Sequence, residues 1–137
     1  MAYVSDVRIL TTENGYNELR KFVDSYLTDE DKKYNLLYNA DVNICKNKLV
    51  YLGWNDVKWY EQSDKFKEVQ AILKGLQHLK DNDISYRYSK FGQYYDDYEE
   101  EIFDSDYKTK NLPLISYERY FDDNNMLNIL NDKAIEL

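Results

Sequence analysis

Any chemistry this chain performs must come from a short stock of reactive side chains. His78 is the only histidine and Cys45 the only thiol, so a zinc site would need carboxylates for most of its ligands and is not expected. A histidine acts as a base only where a nucleophile and an orienting group converge on it, and His78, between Leu76 and Leu79, reads as a surface or boundary residue of a helix. Cys45 closes a β-rich segment just before a turn and reads as a small apolar packing residue. The four glycines, Gly15, Gly53, Gly75 and Gly92, stand singly, so no phosphate-binding loop or dinucleotide fingerprint can be assembled. Carboxylates alone are abundant. Asp96-Asp97 and Asp104-Ser105-Asp106 offer oxygen ligands for Mg²⁺ or Ca²⁺, which keeps a metal-dependent enzyme open as a third reading. The calcium-loop spacing with its central glycine is absent. No catalytic residue, metal ligand or cofactor is assigned.

The carboxylates are unevenly placed. Residues 93–107, QYYDDYEEEIFDSDY, hold seven acids and no Lys or Arg, and taking these from the total of −8 leaves −1 for all other residues. The chain is therefore a nearly balanced domain with one strongly negative, aromatic-laced segment. Such a run is either a solvated surface or an element whose carboxylates imitate a phosphate backbone and meet a basic groove. The series Tyr86, Tyr88, Phe91, Tyr94, Tyr95 and Tyr98 would suit base stacking only beside a basic groove. Here it leads into acids, which favours core and rim packing or a protein-binding patch. The partner-binding candidates are Tyr94, Tyr95, Asp96, Asp97, Tyr98, Glu99, Glu100, Glu101, Phe103, Asp104 and Asp106.

Bulk composition narrows the remaining classes. With 26 acidic against 18 basic residues, direct binding of nucleic acid is disfavoured, while fast association with a basic protein surface is favoured. A hydrophobic share of 43% against 32% charged residues is that of a folded chain, with 15 tyrosines carrying much of the apolar mass. No apolar run approaches the roughly 18 residues of a membrane helix. The start MAYVSDVRIL lacks the charged and apolar regions of a signal peptide, and the lone cysteine makes no internal disulfide, so a cytoplasmic location is expected.

These residues have to be positioned by a scaffold, and 137 residues suffice for a single domain spanning 1–137. Residues 3–10 are β-rich and run into Thr11-Thr12, a helix cap; Tyr16, Leu19, Phe22, Val23, Tyr26 and Leu27 then form a helical stripe ending near Thr28. From Leu36 to Ile44 the period becomes two, which predicts a strand. Lys46-Asn47-Lys48 reads as a tight turn, and Leu49 to Tyr60 as a returning β arm with a bulge at Gly53. Ser63 and Asp64 are caps for a helix with the stripe Phe66, Val69, Ile72, Leu73, Leu76 and Leu79. A strand over Ile84 to Tyr88 follows, then, past Pro113, a strand over Leu114 to Phe121 and a short helix over Met126 to Ile135. The order predicts an α+β two-layer sandwich: a mainly antiparallel sheet with two helices on one face, ferredoxin-like β-α-β-β-α-β plus a C-terminal strand and short helix. One face of that sheet would be exposed.

In size, in its acidic-aromatic segment Tyr94 to Tyr107 and in its Lys/Asn/Asp/Tyr/Ile-rich composition, the chain resembles the small acidic inhibitors encoded by phages and mobile elements, including DNA-mimic anti-restriction and anti-CRISPR proteins. The resemblance implies a non-enzymatic protein that occupies the basic nucleic-acid-binding surface of a host defence or nucleic-acid enzyme. The alternative is an assembly module, a homodimer formed through the exposed sheet face or the Trp54–Trp59 arm.

Overall fold

In the computed structural model, which describes residues 4–63, 65–92, 97–105, 112–117 and 121–132, the chain is α+β: one five-stranded antiparallel sheet and three helices. The order is β1 (Ser5–Thr12), α1 (Glu13–Tyr26), β2 (Val42–Lys46), β3 (Leu49–Val57), α2 (Lys67–Asp81), β4 (Tyr86–Phe91), β5 (Tyr98–Phe103) and α3 (Asp123–Asp132). Across the sheet the strands run β2-β3-β1-β4-β5, each neighbouring pair antiparallel. Among the described residues no helix is long and apolar enough to cross a membrane.

Local chemistry accounts for most element ends. Thr12 caps α1 by accepting from the Gly15 N–H at 2.9 Å. The β2–β3 hairpin turns on Asn47 and Lys48, both at positive φ (52° and 65°), the backbone of a two-residue turn whose twist matches the flanking strands. Helix α2 begins at Lys67 with no side-chain cap; the Ser63 hydroxyl accepts from the Lys65 N–H, ahead of the helix, and Asp64 lies outside the described residues.

Three expectations are corrected. Residues 36–38 form a 3-10 turn, and the strand starts only at Val42. The cause is Asn35, whose buried side chain accepts from the Leu37 N–H at 3.0 Å and so supplies a local alternative to sheet pairing. Of the expected strand over 114–121, the described residues 114–117 and 121 are irregular apart from an isolated Tyr117–Phe121 bridge, and the fifth strand lies inside the acidic run. Leu112 and Ile115, three residues apart, are both buried, so this segment lies over the sheet rather than in its plane. Finally, the bulge sits opposite Asp6, where β3 carries the extra residue near Asp56 (φ 51°), while Gly53 stays in register with Arg8.

The sheet is covered on both sides, which makes the two-layer reading too thin. One face packs Val7, Ile9, Val50, Leu52, Tyr86 and Tyr88 against Leu19 and Val23 of α1 and Val69, Ile72, Leu76 and Leu79 of α2. The helices approach closely enough that a Cβ on Gly75 would sit 2.4 Å from Leu19 Cδ1. Trp54 and Trp59 stack in this core at 5.8 Å, each 2% exposed, so no Trp54–Trp59 arm is free to mediate self-association. On the opposite face Leu10, Leu49 and Tyr51 lie under Leu112, Ile115, Met126 and Leu130, so α3 and its approach segment cover the face that was expected to be open.

Candidate protein-binding edge

Strand β5 carries the described part of the acidic run and ends the sheet beside β4. Its register sets Tyr98 opposite Phe91, Glu99 opposite Lys90, Glu100 opposite Ser89, Glu101 opposite Tyr88, Ile102 opposite Arg87 and Phe103 opposite Tyr86. Because side chains alternate along a strand, Glu99, Glu101 and Phe103 share the face of α1 and α2, while Tyr98, Glu100 and Ile102 share the face of α3. Glu99, Glu100, Glu101 and Ile102 are exposed.

Neighbouring strands hold these carboxylates in place. On the helix side Tyr86 donates its hydroxyl hydrogen bond to Glu101. Buried Lys90 reaches Glu99 at 3.5 Å and Glu61 at 3.6 Å. Glu61 also accepts from the Tyr88 hydroxyl, which itself accepts from Trp59 Nε1 at 2.8 Å, so the edge is tied through two hydrogen bonds into the Trp core. On the other side Tyr98 donates to Glu100 at 2.9 Å and lies 3.3 Å from the Ser89 hydroxyl. Asp104 pairs with Arg87 at 2.7 Å, and Arg87 donates further to the carbonyls of Phe103 and Leu112. Burial, then the adjacent Glu61, raises the Tyr88 pKa far above the ordinary tyrosine value. Tyr98 shifts the same way, from burial first and Glu100 next among the raising causes, so both hydroxyls stay protonated and act as donors.

A cleft of about 230 Å³ opens between α2 and β5, lined by Leu73, Leu76 and Gln77 on one wall and by Tyr88, Glu61 and residues 99–101 on the other. Four carboxylates line the cleft, Glu61, Glu99, Glu100 and Glu101, and Lys90 pairs with two of them, Glu61 and Glu99, which leaves the cleft negative. Among the described residues no set of three or more His, Cys, Asp or Glu side chains is arranged to hold a metal ion.

Of the residues singled out from the sequence, Tyr98, Glu99, Glu100, Glu101 and Phe103 lie on β5, with Asp97 and Asp104 flanking it. Tyr94, Tyr95, Asp96 and Asp106 lie outside the described residues. Phe103 packs at the margin of the core, 6.0 Å from the Tyr86 ring. Sequence reasoning missed Glu61, which lies far from the run in the chain, Lys90, which lies three residues before it, and Ile102, whose place in the alternation of β5 was its only signal. Cys45 is exposed, contrary to the packing expectation, because its strand forms the other sheet edge; its Sγ lies 3.7 Å from Glu13, and burial followed by that carboxylate raises the thiol pKa. His78 stacks on Phe22 at 5.3 Å and sits 3.6 Å from Glu18 on the half-exposed surface of α2. Compared with protein-family models, with curated proteins and with solved structures, the chain matches none.

Proposed function

We propose that the protein is a non-enzymatic binding module, an inhibitor of the kind carried by phages and mobile elements, whose acidic edge occupies the basic nucleic-acid-binding surface of a host defence or nucleic-acid enzyme. The frame is read as ferredoxin-like, since the first four strands lie in the order β4-β1-β3-β2 with a helix in each crossover; β5 extends that sheet at the β4 edge. The observation that carries the function is the placement of Glu99, Glu100 and Glu101 as consecutive exposed residues of an edge strand. Because side chains alternate, Glu99 and Glu101 line one side of this edge about 6.6 Å apart and Glu100 the other, so a basic groove closing over the edge meets carboxylate on both sides. Because Tyr86, Lys90 and Tyr98 already hold these carboxylates, less ordering entropy is lost when they meet a partner.

The test is affinity capture from the native host with the wild-type chain and with the triple variant Glu99→Lys, Glu100→Lys, Glu101→Lys. The expected result is a basic nucleic-acid-binding protein retained by the wild type, released by raised salt and absent from the variant. Equal retention by a folded variant would exclude the acidic edge as the contact.

A further inference from the structure

Beyond its charge, the β5 edge has two properties that point to how a partner is held. First, among the described residues β5 pairs only with β4, so the N–H and C=O groups on its outer side have no ladder partner. Second, apolar surface is concentrated at this corner. Of the five large hydrophobic side chains markedly exposed among the described residues, Ile102 (45%) lies on β5, and Leu114 (60%) and Tyr117 (43%) lie in the neighbouring segment. Tyr117 stacks on Tyr98 at 4.7 Å, and Tyr98 packs on Phe91 at 4.6 Å, so the apolar corner is rigidly backed. An open edge flanked by apolar side chains is a template for another strand unless charge prevents it.

The charge decides which strand. If two copies paired through β5 about a two-fold axis at Glu100, Glu100 would face its own copy and Glu99 would face Glu101. Like charges directly opposite each other in an antiparallel pair are destabilising. A second copy of this chain is therefore a poor occupant, and a basic strand a good one.

Resting on the reading of the acidic edge given above, we infer that β5 binds its partner by strand addition: an extended segment of the partner becomes the sixth strand of the sheet. Directly opposed residues share a face, so the required pattern is set residue by residue. Apolar side chains belong opposite Tyr98 and Ile102, and Lys or Arg opposite Glu99, Glu100 and Glu101. The segment is thus apolar-basic-basic-basic-apolar, and it reads the same in either chain direction. The basic residues opposite Glu99 and Glu101 lie on the side of the acidic cleft, with the aliphatic stems directed toward Leu73 and Leu76. Main-chain hydrogen bonds supply affinity and the alternating side chains supply selectivity, as in other cases of strand addition.

The test leaves the protein unchanged and varies the probe. The wild-type chain is titrated with the capped heptapeptide Thr-Val-Lys-Arg-Lys-Val-Thr and with the same peptide N-methylated at its three central amides, which keeps every charge and removes the donors of both peptide edges. Saturable one-to-one binding of the first peptide is expected, with slowed amide exchange over residues 98–103 and at least tenfold weaker binding of the methylated peptide. Equal affinity for both peptides would overturn strand addition and leave the acidic-edge reading standing on charge alone. Absence of binding by either peptide would overturn strand addition too, while host capture with the triple lysine variant judges the acidic edge separately. A dimer in sedimentation that the peptide does not displace, and that is lost on mutating β5, would make a second copy the occupant and overturn the basic strand.

Discussion

Two regions of the sheet use the same residue types to opposite ends. Beneath α3, Arg8 is 3% exposed and meets Asp123 twice at 3.0 Å, with further bonds to the Trp54 carbonyl and the Asn55 side chain. Tyr51 donates to the same Asp123 at 2.7 Å, and Arg8 stacks over Phe121 at 4.8 Å. Burial disfavours the charged arginine, and Asp123 more than offsets this by hydrogen bond and charge, so the Arg8 pKa is raised. There, positive and negative charge are matched and enclosed. At β5 the only lysine in the network, Lys90 of β4, pairs with Glu61 and Glu99, while Glu100 and Glu101 have no cation among the described residues' ion pairs, and the excess negative charge is left in water. Matched charge inside fixes a helix on a sheet; unmatched charge outside is available to a partner. The difference teaches that burial and pairing, more than residue type, separate structural from interactive carboxylates.

The comparison can be broken most severely on its buried side. Asp123→Ala leaves Arg8 enclosed without its carboxylate and should cost about 3 kcal/mol, read from the urea midpoint. Loss of α3 contacts would follow, visible as faster amide exchange over residues 123–132.

A smaller loss is expected from Gly53→Ala. A Cβ there would meet Arg8 Cδ at 2.4 Å, and the guanidinium could yield only by giving up its bonds to Asp123 and Asn55. The expected cost is about 2 kcal/mol, with the double variant Gly53→Ala, Asp123→Ala falling short of the sum because both changes break one network.

Alkaline titration sharpens the comparison, since both regions contain raised tyrosines. Tyr51 is shifted up by burial and then by Asp123, as Tyr88 is by burial and then by Glu61. A folded-state pKa above the unfolded value means that the neutral hydroxyl is the stabilised form. That contribution is complete below the ordinary tyrosine pKa of about 10 and is lost as pH rises above it. Urea midpoints should therefore hold steady up to about pH 9 and fall beyond about pH 10, with a shallower fall in Tyr51→Phe. An unchanged midpoint at pH 11 would contradict the enclosed hydroxyl bonds.

The smallest stability effect belongs to the exposed side. Glu100→Gln keeps an acceptor for Tyr98 and should change stability by less than about 0.5 kcal/mol. Association with the captured partner should nonetheless slow, measurably in kon and most clearly at low salt.

Helices α1 and α2 were legible because each carries an apolar stripe at helical spacing, and the β2–β3 turn because Asn47 tolerates positive φ. The candidate edge was half legible. Seven acids without a base mark residues 93–107 as exceptional, yet nothing local says that their centre pairs with β4, since Glu-rich segments have weak strand preference. Pairing with Tyr86, Tyr88 and Lys90 overrides that preference, and Glu61, 38 residues before Glu99, joins only through the fold. The segment Leu114 to Phe121 misled in the other direction: its apolar, β-prone residues suggested a strand, while the free face over Leu10 and Tyr51 offered Ile115, with Leu112 before it, more burial than an edge position would.

By itself, then, the sequence determined the α+β class, the two amphipathic helices and the concentration of negative charge in one segment. These follow from periodicity and composition, which act over a few neighbouring residues. Only the tertiary structure decided that the second sheet face is covered, that Trp54 and Trp59 are enclosed, and that the acids form an edge strand backed by Lys90 and three tyrosines. Those outcomes depend on which distant segments bury surface together, and pairing over long chain separations leaves no local pattern to read.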